Sequence, residues 1–370
     1  MPSDNQRVLV AMSGGIDSSV TAALLKERGF DVIGATLRLC DLEKDTEGNP
    51  CCSMDAADQA GRIAKFLDIT HHIVDCRAKF EQLVLRPGWA EYARGRTPNP
   101  CILCNRRIKF GTLLDYADAL GADRLATGHH ARIQVDDKSR KPALLRGRDR
   151  NKDQSYFLYA LDSRQLSSAL LPVGDLSKDE VRTRARDFGL PNAERPESQD
   201  ACFTVAGERF AETLRRKFNQ PATPGPIIDA WGKILGQHEG LHNFTVGQRR
   251  GLKLALGQRV WVRSIHPETA RVVITSEKDE LLAGGLIASE VTWSPRSRDV
   301  RPGDSLQCQV QIRSRHHPSR ARVVRMENRM VEVQFESPQR AVTPGQAAVF
   351  YDENMVIGGG WIEQSFSGED

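Results

Sequence analysis

The 370-residue sequence has no long apolar run. Hydrophobic residues make up 39% of the chain, and no uninterrupted stretch approaches the ~20 residues that a membrane-spanning helix needs. The amino-terminal segment 1–7 is polar, so it lacks the apolar core of a signal peptide and the arginine-rich amphipathic pattern of a transit peptide. We therefore expect a soluble, cytoplasmic protein that does not associate with a membrane.

The sequence also has few cysteines and a small net charge. Eight cysteines over this length do not form the dense framework of a secreted disulfide protein, and in a reducing compartment they indicate catalysis, metal binding or core packing. The formal net charge is only +4, which does not by itself indicate a nucleic-acid partner. A hypothesis of RNA binding must therefore rest on local clusters of basic residues.

The length is too great for one ordinary core and predicts two or three domains. In the first part of the chain, strand and helix patterns alternate, which is typical of an α/β fold with a parallel sheet that binds ligands at the carboxyl ends of its strands. Segment 219–226 is rich in proline and indicates a linker. We predict a parallel-sheet domain at 1–220, a small mixed domain at 221–289 and an antiparallel β-barrel or sandwich at 290–370.

The most informative motif lies near the amino terminus. An apolar segment at 8–11 suits a buried parallel strand, and it leads into Ser13-Gly14-Gly15-Ile16-Asp17-Ser18-Ser19 at the start of a helix. Backbone N–H groups and the helix dipole favour a bound anion there, and glycine lets the backbone approach phosphate oxygens. The motif predicts a cradle for nucleotide phosphates, with an ordinary serine-capped joint as the alternative.

This loop lacks the lysine of the G-x-x-x-x-G-K-[ST] signature, so transfer of a γ-phosphoryl group is not predicted. Asp17 stands in the loop instead. A carboxylate beside phosphates is explained if it holds a Mg²⁺ ion that bridges them, which suits cleavage of ATP between its α and β phosphates. The loop thus predicts ATP and Mg²⁺ as ligands.

A second candidate site lies in the segment Thr97-Pro98-Asn99-Pro100-Cys101-Ile102-Leu103-Cys104, just before a helix. Positions 94–109 hold arginines and a lysine but no acidic residue, which predicts a phosphate-contacting patch. Among these cations the Cys104 thiol is expected to have a depressed pKa and to be nucleophilic. Half of a structural zinc site is the alternative, but the sequence has no second C-x-x-C pair. A further notable cysteine, Cys202, lies in the polar segment 196–203.

Three other features carry weaker signals. His129 and His130 follow a strand predicted at 124–127, where they either contact substrate or cap a turn. Segment 177–180 is a capping box, and we assign its helix a purely structural role. Eight arginines against two aspartates between 291 and 325 suggest that the barrel contacts a phosphate backbone, with a solvated face as the alternative.

Taken together, these motifs closely resemble those of the tRNA-specific 2-thiouridylases, and the resemblance covers nearly the whole chain. The segments that carry it are 13–19, 97–105, 126–129, 152–156, 198–203 and 244–251. The resemblance implies an amino-terminal ATP pyrophosphatase domain, a central domain and a carboxyl-terminal β-barrel that grips tRNA. This layout agrees with the domain boundaries predicted above.

The resemblance also implies a reaction. ATP would adenylate O2 of the wobble uridine, position 34 of tRNA, and release pyrophosphate, after which sulfur replaces the oxygen at C2 and AMP leaves. Family motifs assign Cys202 as the carrier of a persulfide received from a sulfur-relay protein, and Cys104 as the nucleophile that ends in a disulfide with Cys202. The implied substrates are tRNAs with anticodons of the Lys, Glu and Gln type.

The same matching assigns ligand contacts. The implied ATP-binding residues are Ala11, Met12, Ser13, Gly14, Gly15, Ile16, Asp17, Ser18, Leu37 and Gly128, with Asp17 also holding Mg²⁺ through ATP. The implied tRNA contacts are Asn99, Pro100, Cys101, Lys152, Asp153, Gln154, Arg313, Ser314 and Arg315.

Cys101 departs from the family pattern, because many members have there an aspartate that is proposed to assist acid–base chemistry. That carboxylate role is lost here, and Cys101, Cys104 and Cys202 can instead be the ligands of a 4Fe-4S cluster, an alternative mechanism for the same reaction. Two rival functions also remain. An ATP-dependent amide ligase would need neither the cysteine pair nor the basic β domain, and a non-catalytic RNA-binding module would not need Asp17 with the cysteines.

Overall fold

The computed structural model describes residues 6–40, 54–196, 208–297 and 300–367. Within these residues no helix is long and apolar enough to cross a membrane. The described chain forms a parallel-sheet α/β domain, a small central domain of mixed strands and an antiparallel β-barrel. This architecture confirms the predicted fold class.

The strands are, in chain order, β1 (Arg7–Ala11), β2 (Asp31–Arg38), β3 (Thr70–Asp75), β4 (Arg124–Ala126), β5 (Ala131–Val135), β6 (Pro142–Arg146), β7 (Ala169–Leu170), β8 (Gly225–Ile228), β9 (Ile234–His238), β10 (Trp261–His266), β11 (Arg271–Thr275), β12 (Leu282–Trp293), β13 (Ser305–Gln311), β14 (Ser319–Arg325), β15 (Val331–Arg340), β16 (Ala347–Asp352) and β17 (Met355–Phe366).

The helices are α1 (Ile16–Glu27), α2 (Met54–Phe66), α3 (Arg77–Phe80), α4 (Arg86–Ala93), α5 (Pro100–Leu103), α6 (Leu113–Ala119), α7 (Ser163–Ser168), α8 (Lys178–Asp187) and α9 (Phe210–Lys217). Two π-helical segments interrupt this pattern, Glu81–Leu85 between α3 and α4 and Cys104–Thr112 between α5 and α6. Because π-helical turns occur often at functional sites, the second segment draws attention to Cys104.

The parallel sheet has the strand order β3-β2-β1-β4-β7. Its central strand β1 is fully buried at Val8, Leu9 and Val10, because hydrophobic side chains pack on both faces of the sheet. The chain winds from β1 outward to β3 in one direction and returns to β4 on the other side of β1. The carboxyl ends of β1 and β4 therefore flank the crevice in which this kind of sheet binds ligands.

The central domain contains β8 to β11 in the order β10-β11-β8-β9. Strands β8 and β11 are parallel, and the other pairs are antiparallel. Its core includes Ile227, Val262 and Val272, which have no exposed surface. The predicted boundary at 220/221 falls between α9 and β8.

The third domain is a closed six-stranded barrel in the order β12-β15-β14-β13-β16-β17, and pairing of β12 with β17 completes the ring. The boundary predicted at 289/290 falls inside β12, which begins at Leu282. Strand β6 of the first domain extends the same sheet by pairing with β17 at Leu145 and Met355.

Barrel residues also take part in the core of the first domain. Val349 and Tyr351 of β16 belong to one buried cluster with Leu9 and Leu125 of the parallel sheet. This shared core buries apolar surface from both domains. The barrel and the parallel-sheet domain therefore form a single packed body around β16.

Candidate active site

The phosphate loop between β1 and α1 has the tight geometry that its sequence predicts. Gly14 has a φ of +73°, and a Cβ on it would lie 2.7 Å from the Ala56 carbonyl oxygen. Only glycine meets both conditions without strain. Gly15 is the N-cap of α1, so the free N–H groups of the first helical turn face the crevice at the end of β1.

Two of the loop serines stabilise the loop itself. The Ser18 and Ser19 hydroxyls both donate to the Gly15 carbonyl, at 3.0 and 2.9 Å, and both side chains are buried. The Ser13 side chain is exposed at the mouth of the loop. Ser13 is therefore the loop hydroxyl that is best placed to reach a ligand, whereas Ser18 and Ser19 hold the backbone in shape.

Asp17 lies in the first turn of α1 and pairs with a lysine from far along the chain. Its Oδ1 is 2.6 Å from Lys178 Nζ and 3.3 Å from His130 Nε2. Burial alone would raise the pKa of Asp17, but His130 and the Lys178 ammonium outweigh it and hold the pKa below its ordinary value. The carboxylate is therefore ionised at neutral pH, as an interaction with Mg²⁺ would require.

The sequence alone did not predict that Lys178 lies in the candidate site, in contact with Asp17. The capping box at the start of α8 is confirmed, since Glu180 N–H donates to Ser177 Oγ at 3.2 Å and Ser177 N–H donates to the Glu180 carboxylate at 2.6 Å. Lys178 directly follows Ser177 in the sequence. Its side chain is buried, and its ammonium donates to the Asp17 carboxylate. A cation in the first turn of a helix opposes the helix dipole, and this conflict was the available signal of a role beyond capping.

Asn192 also escaped the sequence analysis. Its Nδ2 donates to the Gly14 carbonyl and to Ser19 Oγ, both at 3.0 Å, so it holds the loop from the segment that follows α8. Its buried Oδ1 has no hydrogen-bond partner within the described residues. No pattern in the sequence connects this asparagine to the loop.

Gly128 follows β4 and lies against the base of the loop. A Cβ on Gly128 would be 2.7 Å from the Ser18 nitrogen and 2.9 Å from the Asp17 Cβ. A side chain at this position would therefore push the start of α1 away from β4. The resemblance implies an adenosine contact for Gly128, and the observed packing gives glycine a second reason to be there.

The cysteine pair lies in a separate cavity of about 160 Å³. Cys104 is 8% exposed and Cys101 is partly buried. The residues that line the cavity are Phe80, Val84, Pro100, Cys101, Cys104, Asn105, Lys109, His129, Gln154, Phe157 and Phe210. Aromatic and aliphatic groups dominate this set, so the thiols face a mainly apolar space.

The electrostatics of this cavity favour neutral groups. Burial raises the pKa of the Cys101 thiol, and Lys109 opposes the increase only in part. Burial and, secondarily, Lys109 hold the pKa of His129 well below its ordinary value, and the ring accepts or donates a hydrogen bond with Thr127 Oγ1 at 2.7 Å. His129 is therefore a neutral imidazole at physiological pH.

Two arginines of the predicted cationic patch lie beside carboxylates. Arg96 pairs with Glu91 at 2.6 Å and also with Glu363 of the barrel, and Arg94 lies 3.5 Å from Glu91. Glu91 precedes the acid-free segment 94–109 and Glu363 is remote in sequence, so the composition of the segment alone could not reveal them. Arg96 is therefore held between two carboxylates, whereas the Arg94 side chain is 72% exposed beside Glu91.

Gln154 connects the thiol cavity to the phosphate loop. Its Oε1 accepts from the His130 N–H and its own N–H donates to the His130 carbonyl, both at 2.9 Å, while its side chain lines the thiol cavity. The ring of His130 approaches Asp17. One residue therefore separates the carboxylate of the phosphate loop from the wall of the thiol cavity.

The geometry agrees better with the predicted Mg²⁺ ion than with the predicted 4Fe-4S cluster. Asp17 is a single ionised carboxylate beside the phosphate loop, which is sufficient for a Mg²⁺ ion held mainly by phosphates. No group of three cysteine, histidine or acidic side chains that could hold a metal occurs within the described residues. Cys202 lies outside them, so the described part of the chain supplies two of the three cysteines proposed for a cluster.

Comparison with protein families assigns each domain. A family model described as the tRNA methyl transferase HUP domain matches residues 6–206, which is more than half of the chain. A tRNA methyl transferase PRC-barrel domain matches 212–276, and an aminomethyltransferase beta-barrel domain matches 283–362. The three matches follow the order of the three structural units.

Relatives that match over nearly the full length of the chain are named for thiolation of tRNA and not for methyl transfer. A tRNA-specific 2-thiouridylase MnmA from Carboxydothermus hydrogenoformans is 45% identical over 97% of this chain and 98% of its own. Relatives of the same name from Solibacter usitatus and Syntrophotalea carbinolica are 44% and 45% identical, over 97% and 98% of this chain and 99% and 100% of their own. The chain belongs to the tRNA-specific 2-thiouridylase family.

The segment that the 2-thiouridylase resemblance places against the target base is held by all three domains. Thr97 Oγ1 donates to Thr245 Oγ1 of the central domain at 3.0 Å. Its N–H donates to the Pro344 carbonyl at 2.9 Å, and its carbonyl accepts from Gln346 Nε2 at 2.8 Å, both on the barrel. Asn99 and Cys101 therefore follow a residue whose position depends on the assembled protein.

The two segments that the family motifs assign to tRNA, 152–154 and 313–315, are joined through a buried network. Asp153 accepts from Arg146 at 3.0 Å, and Arg146 donates to Gln311 Oε1 at 3.1 Å. Gln311 Nε2 then donates to the carbonyls of Arg313 and Ser314, at 3.1 and 3.0 Å. Asp153 is thus a scaffold residue, while residues 313–315 have exposed side chains.

The remaining family-assigned residues are distributed as follows. Ala11, Met12 and Ile16 surround the phosphate loop, and Met12 N–H donates to the Ala35 carbonyl at 2.7 Å. Leu37 lies at the end of β2, beside Val74 of β3. Pro100 begins α5 and lines the thiol cavity, and Lys152 is partly buried.

Proposed function

We propose that the chain catalyses ATP-dependent 2-thiolation of the wobble uridine, position 34, of tRNA. One observation carries the proposal: the phosphate loop with its ionised Asp17 and the cavity with two thiols are neighbours, separated by the His130–Gln154 contact. Adenylation needs the first site and sulfur transfer needs the second. Their adjacency supports one substrate atom passing from one chemistry to the other without leaving the protein.

ATP binding rests on the residues around the loop. The Gly14 turn and the first N–H groups of α1 would hold phosphate oxygens, with Ser13 as a further donor. Lys178 would neutralise charge that develops on the phosphates as the α–β bond breaks, and Asp17 would hold Mg²⁺. Bound Mg²⁺ would make the β and γ phosphates a better leaving group, so that AMP is transferred to O2 and pyrophosphate departs.

Sulfur transfer rests on the cysteines. We assign Cys202 as the persulfide carrier, loaded by a sulfur-relay protein, and Cys104 as the resolving nucleophile. The terminal persulfide sulfur attacks C2 and expels AMP; the Cys104 thiolate then attacks Cys202 Sγ, which releases 2-thiouridine and leaves a Cys104–Cys202 disulfide. An external thiol must reduce that disulfide before the next turnover. The burial of Cys104 supports a role that is reserved for a bound substrate.

A 4Fe-4S cluster on Cys101, Cys104 and Cys202 is the alternative route for the same reaction. It is favoured by the position of Cys101 and Cys104 on the wall of one cavity. Lysine, glutamate and glutamine tRNAs as substrates, a separate relay protein and a cytoplasmic location stay predictions from the sequence.

The test of the function is reconstitution. Purified protein, tRNA, [α-³²P]ATP and a small-molecule persulfide donor should give AMP, pyrophosphate and 2-thiouridine at position 34 in equal amounts, as measured by chromatography and mass spectrometry of the nucleosides. A methylated nucleoside would instead support the activity named in the family-model descriptions, and AMP formation without tRNA would support an amide ligase. ATP binding without turnover would reduce the protein to an RNA-binding module.

A further inference from the structure

A line of polar groups crosses three strands of the parallel sheet and ends at the phosphate loop. It starts at His71 on β3, passes Thr36 on β2 and reaches the carbonyl of Met12, which directly follows β1. Thr36 Oγ1 lies 2.9 Å from His71 Nε2 and 2.8 Å from the Met12 carbonyl oxygen. His71 and Thr36 lie outside every motif that carries the family resemblance.

The direction of these hydrogen bonds follows from the chemistry of the groups. A backbone carbonyl only accepts, so the one hydroxyl proton of Thr36 is used on Met12. The Thr36 oxygen must then accept from His71, whose Nε2 therefore carries a proton. Burial and, secondarily, His72 lower the pKa of His71, so at neutral pH the ring is a neutral imidazole with its proton on Nε2.

The peptide that Thr36 holds is anchored on its other side as well. The Met12 carbonyl and the Ser13 N–H belong to one rigid plane. Ser13 N–H donates to Ser18 Oγ at 3.2 Å, and the Ser18 hydroxyl donates to the Gly15 carbonyl at 3.0 Å. All donors therefore point in one direction, from β3 to the N-cap of α1. Hydrogen bonds in such a chain polarise and strengthen one another.

Gly34 makes room for this arrangement on one face of the sheet. Gly34 and Thr36 are two residues apart on β2, so they face the same side. A Cβ on Gly34 would lie 2.7 Å from Met12 Sδ and 3.2 Å from His71 Cδ2. The histidine ring therefore packs closely on β2, which fixes its distance to Thr36.

We propose that His71 is a positioning residue for ATP, which acts through Thr36 on the peptide that opens the phosphate loop. The inference rests on the proposed function, in which this loop holds the phosphates. If the peptide rotated, its N–H would leave Ser18, and the Ser18 hydroxyl would no longer be held at the Gly15 carbonyl. The first N–H groups of α1 would then be less well preorganised for phosphate oxygens.

The role predicts a loss of ATP affinity rather than a loss of chemistry. His71 and Thr36 stand behind the loop, and no step of the proposed reaction uses either of them as an acid, a base or a nucleophile. Their removal should therefore raise the dissociation constant and the KM for ATP, while kcat and the affinity for tRNA stay close to wild type.

The test measures the dissociation constant for ATP by equilibrium dialysis with [α-³²P]ATP, and KM and kcat by pyrophosphate release. Thr36→Val removes the hydroxyl at nearly constant shape, and His71→Leu removes the donor. We expect each variant to bind ATP roughly 5- to 10-fold more weakly, the contribution of about one hydrogen bond. Thr36→Ser keeps the hydroxyl and His71→Gln keeps a donor near the position of Nε2, so both should stay within about twofold of wild type.

A double variant tests whether the two residues act in one chain. Thr36→Val/His71→Leu should bind ATP at most about twofold more weakly than Thr36→Val alone, because the first loss already breaks the chain. His72→Leu is the matched control. His72 is half-buried like its neighbour on β3 but lies on the opposite face, where its Nδ1 is 3.0 Å from the Tyr116 hydroxyl oxygen. This variant should bind ATP like wild type.

Wild-type ATP affinity in Thr36→Val, an equal loss in His72→Leu, or a double variant whose loss is the product of the two single losses would overturn the proposal. Melting temperatures show which variants are folded, and the comparison of Thr36→Val with Thr36→Ser decides the question if His71→Leu does not fold. The dialysis contains no tRNA, so these outcomes differ from failure of the proposed function, in which the wild-type protein binds no ATP or makes no 2-thiouridine.

Discussion

Around Asp17 the side chains are charged, paired and hydrogen-bonded, whereas around Cys101 and Cys104 they are mainly aromatic and aliphatic. The phosphate loop is thus prepared to hold negative charge before any ligand binds. The thiol cavity instead favours neutral groups, because its low polarity disfavours a thiolate at Cys101. The two halves of the site are poised for different moments of one reaction.

The difference bears on the reactivity of the Cys101 thiol. A thiol that stays protonated in an apolar cavity reacts slowly with stray electrophiles and oxidants. The Cys101 thiol would form a thiolate only after an incoming substrate or carrier changes the polarity of the cavity.

The largest loss of activity is expected from substitution of Asp17, the carboxylate beside the phosphate loop. Asp17→Asn should lower pyrophosphate release by on the order of 10²–10³-fold, the range seen when one preorganised electrostatic group is removed from an active site. Affinity for tRNA should stay within about twofold of wild type, since Asp17 is assigned to the phosphates of ATP. Asp175→Asn is a suitable control, because Asp175 is an exposed carboxylate that only approaches Arg132, at 3.8 Å. Substantial pyrophosphate release by Asp17→Asn would remove Asp17 from the mechanism.

A smaller loss of adenylation activity is expected from substitution of Lys178, the partner of Asp17. Lys178→Met should slow adenylation by roughly 10- to 100-fold, and Lys178→Arg should recover part of it, because a guanidinium keeps the charge but not the shape. The acid limb of the pH–rate profile should also move toward neutral pH, since the pKa of Asp17 rises when Lys178 no longer lowers it. A profile unchanged in Lys178→Met would show that the lysine does not act on Asp17.

The same pair contributes to stability in a definite pH range. Because the folded-state pKa of Asp17 lies below its ordinary value of 3.8, the stabilisation is present above that value and disappears as pH falls through the depressed pKa. Urea titrations of wild type and Lys178→Met should therefore differ at about pH 6 and converge at strongly acidic pH. A difference that grows on acidification would contradict the pairing.

An intermediate effect is expected for the network that joins the two segments that we propose to contact tRNA. Gln311→Met keeps the size of the side chain but removes the hydrogen bonds to Arg146 and to the carbonyls of Arg313 and Ser314. We expect about 1 kcal/mol of this loss, the worth of one hydrogen bond, to reach tRNA binding, so that KM for tRNA rises roughly 5- to 10-fold with kcat nearly constant. A fall in kcat with unchanged KM would place the network in catalysis instead.

The smallest effect is expected at the other cysteine of the thiol cavity. On the persulfide route Cys101 is a bystander, so Cys101→Ala should keep thiolation within about threefold of wild type, since no bond to its sulfur forms or breaks. On the cluster route the same variant would lose iron, visible absorbance and activity together. Iron and sulfide analysis of anaerobically purified wild type and Cys101→Ala decides between them, with Cys308→Ala as a control in the barrel core.

The fold and the phosphate loop could be predicted because their information is local. The loop is contiguous in sequence, and its glycines, serines and Asp17 together predict an anion site at a helix N-terminus. The alternating strands and helices likewise define a parallel sheet. For these features, spacing along the chain is enough.

The groups that complete the site come from elsewhere in the chain. Lys178 is remote in sequence from Asp17, and only its conflict with the helix dipole indicated a partner. The composition of segment 94–109 also did not reveal that Arg96 pairs with Glu363, which the fold brings from the barrel. The sequence also did not predict which part of the barrel packs in the core of the first domain. The buried residues of β16 have the same apolar pattern whichever core they belong to.

The central claim is that one protein adenylates tRNA at the charged half of its site and delivers sulfur at the apolar half. Its most direct test is Cys202→Ala, which lacks the proposed persulfide carrier, incubated with tRNA, [α-³²P]ATP and a persulfide donor, with label on the tRNA and 2-thiouridine measured in one sample. We predict that pyrophosphate is released and labelled AMP accumulates on tRNA, while no 2-thiouridine is released. Thiolation at the wild-type rate, or absence of any adenylated tRNA, would contradict the account.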